Sequence, residues 1–299
     1  MIRVGNAPCS WGILEFDRTV TPATYQQVID EISSAGYAGT ELGDWGFMPT
    51  DPSILRHEIE RQGLQLIAAF VPVALADSAA HADGTKTAVR TASLLQAAAG
   101  PDALIVLSDD NGRIPIRERN AGRITAAHGL NDAGWTVVAH GAEAIARAVR
   151  DETGLRTVFH PHCGGYIETE TEIDELMRRT DAALLGLCLD TGHVRYAGGD
   201  PLRVLTRHAP RVWHVHFKDC DEAVATHARA SELGYLAAVR NQLFCELGRG
   251  GVDFANVVAT LQRLGYDGWI VVEQDVFPGQ GTPEESARRS REFLRRLGV

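Results

Sequence analysis

The stretch "LCLDTGHVRYAGGDP", residues 187–201, starts as a buried strand and runs into polar residues. Leu187, Cys188 and Leu189 are apolar, Asp190, Thr191, Gly192 and His193 follow, and the chain turns away through Gly198 and Gly199. A strand end that only needs solvating accepts almost any polar residue. An aspartate and a histidine three residues apart are also ligand groups, so the choice between cap and ligand depends on the neighbouring strands.

Similar apolar runs recur along the chain at 2–8, 39–42, 64–73, 103–109, 156–162, 185–193, 212–219 and 269–275. Helical patterns separate them. Phe254, Val257, Val258, Leu261 and Leu264 follow the i, i+3, i+4, i+7 spacing of one helix face. Thr282, Pro283 and Glu285 read as a capping box with proline in the first turn. Eight alternating strand and helix units in 299 residues imply a parallel sheet closed into an α/β (β/α)8 TIM barrel. An open doubly wound sheet is the alternative, but "GNAPCSWG" after the first strand is not a glycine-rich phosphate loop. No Ser-, Pro- or Gly-rich linker divides the chain, so residues 1–299 are expected to form a single domain. The long segments 110–134 and 220–252 are expected to roof the site.

In such a barrel the site lies at the C-terminal ends of the strands. The fifth strand ends in His160-Pro161-His162 and the sixth in Asp190-Thr191-Gly192-His193. The seventh reads His214-Val215-His216-Phe217-Lys218-Asp219, and the eighth ends Glu273-Gln274-Asp275. Residues i and i+2 share a face. His160 with His162, His214 with His216 and Lys218, and Glu273 with Asp275 can therefore all point into one barrel mouth. Two imidazoles and two carboxylates from adjacent strands suit a divalent cation such as Mn²⁺, Co²⁺, Fe²⁺ or Zn²⁺. On this reading Asp190 is a ligand rather than a cap, and His193 lies farther out, within reach of substrate or a second metal. His57, His81, His128, His140, His208 and His227 are expected to be surface residues.

The net charge of −10 argues against a nucleic-acid partner, whose phosphates call for Lys and Arg. It favours a small neutral or weakly charged ligand. The five cysteines are scattered and form no CxxC pair, as in a reducing compartment. No apolar run approaches a membrane span and the N-terminus shows no signal peptide, so a cytoplasmic enzyme without a membrane partner is expected, with homo-oligomerisation open.

Together, "GYAGTELGDWGFMPTDP" (36–52), "LCLDTGHVRYAGGDP", "VWHVHFKD" (212–219) and "LGYDGWIVVEQD" (264–275) resemble the xylose-isomerase-like barrel superfamily from about residue 2 to 297. Within it the likeness is closest to the inosose dehydratases. The resemblance implies a single divalent metal, Mn²⁺ or Co²⁺ before Zn²⁺, Fe²⁺ or Mg²⁺. Its ligands would be Asp190, His216, Glu273 and one histidine of "FHPH", with His160 matching the position where sugar epimerases carry glutamate. It implies a dehydratase of a cyclic keto-polyol such as 2-keto-myo-inositol, working through a metal-stabilised enolate. A metal-dependent isomerase or epimerase acting on a ketose is the alternative, because the same ligands serve both. Apurinic endonucleases share the barrel but need a basic face, and a binding protein without catalysis would be expected to lose a ligand.

The candidate proton carriers are His162, His193, Lys218 and Glu41, the last ending the second strand. Trp11 and Trp45, in the loops after strands one and two, are expected to stack on an apolar substrate face. Two segments depart from the dehydratase pattern. "CELGRGGVDF" (245–254) looks like the general superfamily form, and the first loop, "CSWGILEFDRTVTP" (9–22), differs from the usual one.

Overall fold

A computed structural model describes residues 2–13, 23–277, 279 and 281–299. Eight parallel strands form a ring. They are β1 (Arg3–Asn6), β2 (Gly39–Thr40), β3 (Gln65–Leu66 and Ala68–Pro72), β4 (Leu104–Ser108), β5 (Arg156–Phe159), β6 (Leu185–Asp190), β7 (Val212–Phe217) and β8 (Trp269–Val272). The third strand is interrupted at Ile67, and each half pairs with a different neighbour. Gln65 lies opposite Gly39 of β2, while Ala68 lies opposite Leu104 of β4. β8 pairs with β1, with Arg3 opposite Trp269, and the barrel closes. All eight apolar runs are barrel strands.

Alternation along each strand separates two apolar layers. Ile67, Ala68, Leu104, Val106, Val158, Cys188 and Val271 fill the barrel interior. Ile105, Leu107, Phe159, Leu187, Leu189, Val215, Phe217, Ile270 and Val272 face the helices. Gly5 and Gly39 make room for Ile67 near the barrel axis, because a Cβ on Gly5 would lie 2.4 Å from Ile67 Cδ1. Each buried Val, Leu or Ile side chain of these layers contributes about 1.5–3 kcal/mol.

Side-chain caps start the helices where the polar signals stand. Asp51 accepts from Ser53 and Ile54 at the start of Pro52–Arg61, and Asn131 caps Asp132–Thr153, which stops at Gly154 with φ +75°. Two local expectations are corrected. The helix Phe254–Arg263 buries Val257, Val258 and Leu261, but it ends before Leu264, which is exposed because it forms the cap. Thr282 does not make a reciprocal capping box: its hydroxyl donates to Glu285 and so leaves the helix amides without that oxygen.

The segments at 110–134 and 220–252 do lie over the C-terminal end. Ala121, Cys163, Tyr196, Tyr235, Val239 and Phe244 form a separate apolar cluster there. Fully buried Arg117, from the helix Pro115–Asn120, makes a bidentate pair with Glu172 and donates to Gly165 O. Asp109 accepts the Tyr166 amide, and Glu168 accepts those of Gly122 and Gly164. These bonds fix the loop that follows β5. Among the described residues no helix is long and apolar enough to cross a membrane, and all five cysteines are free thiols.

Candidate active site

The ends of β5 to β8 bring four side chains to one point. His160, Asp190, His216 and Glu273 are buried, and a ligand atom from each lies within 4.8 Å of the others. The His160 amide extends the sheet by donating to Leu107 O at 2.8 Å, and that of Glu273 by donating to Phe217 O at 3.0 Å. Their side chains therefore keep the strand alternation into the mouth. His160 Nε2 is 3.4 Å from Asp190 Oδ2, and His216 Nδ1 is 3.3 Å from Glu273 Oε2 and 4.0 Å from Asp190 Oδ2. The Nδ1 atoms of His160 and His216 are buried without a hydrogen-bond partner. Mixed imidazole and carboxylate donors with unpaired buried nitrogens fit a divalent cation.

Glu41 stands behind this set. Its Oε1 accepts from His214 Nε2 at 2.8 Å and from His216 Nε2 at 2.9 Å, which leaves His216 Nδ1 facing the cluster. Burial alone would raise the Glu41 carboxyl, but His216 and the two imidazole hydrogen bonds hold it below its usual range. Glu41 thus orients a candidate ligand, His216, and also lines the cavity where a proton carrier is expected.

Asp190 is both cap and candidate ligand. Oδ1 accepts the His193 amide at 2.9 Å at the start of the helix Thr191–Tyr196, and Oδ2 faces His160, His216 and Lys218. The two oxygens do different things, one capping the helix and the other facing the candidate cation ligands. Burial opposes its ionisation, yet Lys218, His193 and His160 hold its carboxyl far below the usual range.

A second group lies beside the first. Lys218 Nζ is 3.0 Å from Glu273, 3.5 Å from Asp190 and 3.0 Å from Asp275, and 3.1 Å from His193 Nε2. It pairs with all three carboxylates. Burial disfavours its charge, but Asp190, Asp275 and Glu273 push its pKa well above the usual lysine value. Asp275 also accepts from the Tyr235 hydroxyl at 3.1 Å. His162 lies in contact with Cys163 O through Nδ1 at 2.7 Å, and its ring centroid is 3.8 Å from that of His193. A carbonyl only accepts, so Nδ1 carries the proton and Nε2 has the free lone pair. Burial, then the charges of His160 and Lys218, keep His162 well below its usual pKa.

His160, His162, His216, Lys218, Glu41, Glu273 and Asp275 all line one cavity of about 60 Å³, together with Cys9, Ile13 and Phe70. Within "FHPH" the two imidazoles part: His160 groups with Asp190, His216 and Glu273, while His162 groups with His193 and Asp275. His193 does not line this cavity. It is buried behind His162 in the first turn of its helix, because the Asp190 cap folds it inward.

Neither expected tryptophan lines the cavity. Trp11 is buried in the outer apolar layer and donates Nε1 to Glu31 at 2.6 Å. Trp45 is 39% exposed and lies under the Arg90 guanidinium, 4.0 Å from its ring centroid. The part of the first loop at 14–22 lies outside the described residues. His81 and His208 are not free surface groups: His81 bonds to Leu75 O at 2.8 Å and His208 to Asp174 at 2.7 Å. Asp275, Tyr235 and Phe70 were given no role from sequence. Strand parity already placed Asp275 beside Glu273, whereas nothing local marks Tyr235 or Phe70.

Residues 29–297 match the family model described as the xylose isomerase-like TIM barrel. The chain is 31% identical over 293 residues to an inosose dehydratase of Lacticaseibacillus casei, covering 98% of this chain and 96% of that one. It is 32% identical to an inosose dehydratase of Geobacillus kaustophilus, covering 99% and 94%. Among solved structures, a 3-keto-D-glucoside 4-epimerase of E. coli superposes with a TM-score of 0.69 at 16% identity, covering 99% of this chain and 100% of that one. A Bacillus anthracis protein described as the "probable 3-DHS dehydratase" superposes with a TM-score of 0.69 at 14% identity, covering 98% and 99%. At those identities the structures share the fold. The curated relatives point to a dehydratase or related sugar-modifying enzyme.

Proposed function

Because this chain belongs to the xylose isomerase-like TIM barrel family, we propose that it is a metal-dependent carbon–oxygen lyase that dehydrates a cyclic keto-polyol such as 2-keto-myo-inositol. The observation that carries this reading is the buried His160, Asp190, His216 and Glu273 set, in which His216 Nδ1 has no hydrogen-bond partner and faces Glu273 and Asp190. Those four residues would hold Mn²⁺ or Co²⁺, and the relatives named inosose dehydratase supply the substrate class. A bound divalent ion supplies Lewis-acid polarisation of the substrate ketone.

The chain's own groups move the proton. His162 is neutral, with Nε2 free and a place on the cavity wall. It takes the proton from the carbon next to the ketone. The electron pair of that C–H bond forms the new C=C bond as the neighbouring hydroxyl departs. The imidazolium of His162, acidified by burial and by His160 and Lys218, returns the same proton to that hydroxyl, and one water leaves. The Lys218 ammonium, fixed by Glu273 and Asp275, holds positive charge beside the oxygens that become negative. His193 supports Lys218 and backs the His162 ring. Glu41 orients His216.

Incubating the Mn²⁺- or Co²⁺-loaded protein with a panel of inososes and ketoses, read by mass and retention time, tests this. A product lighter by one water supports dehydration. A product of unchanged mass and new retention time replaces it with the isomerase or epimerase reading.

A further inference from the structure

The two segments over the barrel mouth meet at one tyrosine. The short helix Tyr235–Arg240, from the segment after β7, packs on the helix Pro115–Asn120, from the segment after β4. Glu118 of the second helix holds the backbone on both sides of Tyr235. Its Oε1 accepts the Leu236 amide at 3.3 Å, and it lies so close to Gly234 that a Cβ there would come within 2.5 Å of Oε1. Gly234 therefore lets the two helices close, and Tyr235, next along the chain, reaches down to the ends of the strands.

Tyr235 is fully buried. Its hydroxyl donates to Asp275 Oδ2 at 3.1 Å. Its ring stands edge-on to His162, with centroids 5.2 Å apart at 72°, and tilted against His193 at 6.0 Å. Tyr235 lies behind the cavity wall that Asp275, His162 and Lys218 form, so it acts on a bound molecule only through these neighbours.

Asp275 is the neighbour that the hydroxyl controls. Lys218 Nζ lies 3.0 Å from each of the two Asp275 oxygens, so the ammonium straddles the carboxylate. A carboxylate turns easily about its last side-chain bond, where the energy well is broad. Glu273, 3.0 Å from the same Nζ, adds a like charge that favours turning away. A second donor on Oδ2, carried by a rigid ring whose backbone is clamped at both sides, removes that freedom.

We propose that Tyr235 is a positioning residue whose hydroxyl, through Asp275, fixes the Lys218 ammonium beside the reacting oxygens. The part that Lys218 plays in turnover rests on the dehydratase reading, whereas its placement by Tyr235 and Asp275 does not.

The test has two arms. Tyr235→Phe removes the hydroxyl and keeps the ring against His162. With metal-loaded enzyme and 2-keto-myo-inositol, this variant is expected to keep the wild-type metal content and to hold KM within about twofold. Its kcat is expected to fall about tenfold, the scale of one hydrogen bond to a charged group. Asp275→Ala is expected to lower kcat at least as far. Adding Tyr235→Phe to it should cost no more than about a further twofold, because the hydroxyl then has no carboxylate to hold, whereas a merely structural role would make the two losses multiply. In the second arm, crystal structures of metal-loaded wild type and Tyr235→Phe read the placement without turnover. The two-oxygen contact of Asp275 with Lys218 is expected in wild type, and in the variant one oxygen is expected beyond about 4 Å from Nζ. If the wild type releases no water from the substrate, the dehydratase reading fails and the crystallographic arm alone decides the positioning. Wild-type kcat in Tyr235→Phe, losses that multiply in the double variant, or an unchanged contact between Asp275 and Lys218 in the variant overturns the proposal.

Discussion

Glu41 on the β2 side of the barrel and His216 on β7 are joined across the mouth, Oε1 to Nε2 at 2.9 Å. The bond keeps the proton on Nε2 and leaves Nδ1 aimed toward Glu273 and Asp190. Weakening it with Glu41→Gln should lower Mn²⁺ affinity by about 10- to 100-fold in calorimetric titration. Wild-type affinity in Glu41→Gln would remove Glu41 from the account.

The four candidate ligands should separate from the proton carrier. Protein purified without chelator should hold about one equivalent of divalent metal. His216→Ala and Glu273→Ala should lose it by elemental analysis, and Asp190→Ala should lose both metal and turnover. His162→Ala should keep the metal but lower turnover by about 100-fold or more. Metal retained by both His216→Ala and Glu273→Ala would refute the assignment.

Much of this site was legible in the sequence, and the reason is strand parity. His160, His216 and Glu273 end adjacent parallel strands, so alternation alone places them on the inner face. The contacts that give them roles were not legible. Glu41 meets His214 and His216 from more than 170 positions away. The inward turn of His193 depends on which oxygen of Asp190 caps its helix. Trp11 and Trp45 were assigned by residue type, but an indole settles where it finds both apolar contact and a partner. For Trp11 that partner is Glu31, and for Trp45 it is Arg90.

The loop carrying His160 and His162 is held by buried charge, which gives a stability prediction. Arg117 is fully buried and paired to Glu172 at 2.8 and 2.9 Å. Arg117→Met leaves Glu172 without its cation and should cost about 3 kcal/mol in urea unfolding. A loss below about 1 kcal/mol, the scale of an exposed pair, would show that the pair is not needed to hold the loop.

Glu168 adds a pH dependence. Burial raises its carboxyl from 4.5 to about 7, against the pull of the Gly122 and Gly164 amides. The unfolded chain therefore releases this proton before the folded one. The stabilisation from keeping it is full below about pH 4.5 and is lost as pH rises through about 7. Relative to wild type, Glu168→Gln should grow more stable from pH 5 to pH 8. A difference that stays constant over that range would contradict the assigned shift.

If residues 1–299 form one folding unit, the metal-loaded protein should melt in one transition, at a temperature that rises with free Mn²⁺ by mass action. Two separated transitions in calorimetry would show a division of the chain.

The proposed dehydration is tested most directly by following 2-keto-myo-inositol with Mn²⁺-loaded enzyme in D₂O by NMR and mass. The account predicts loss of one water in step with consumption of the substrate, and this should depend on both His162 and the added metal. Exchange of the α-hydrogen for deuterium without any release of water would contradict it and make the protein an isomerase or epimerase.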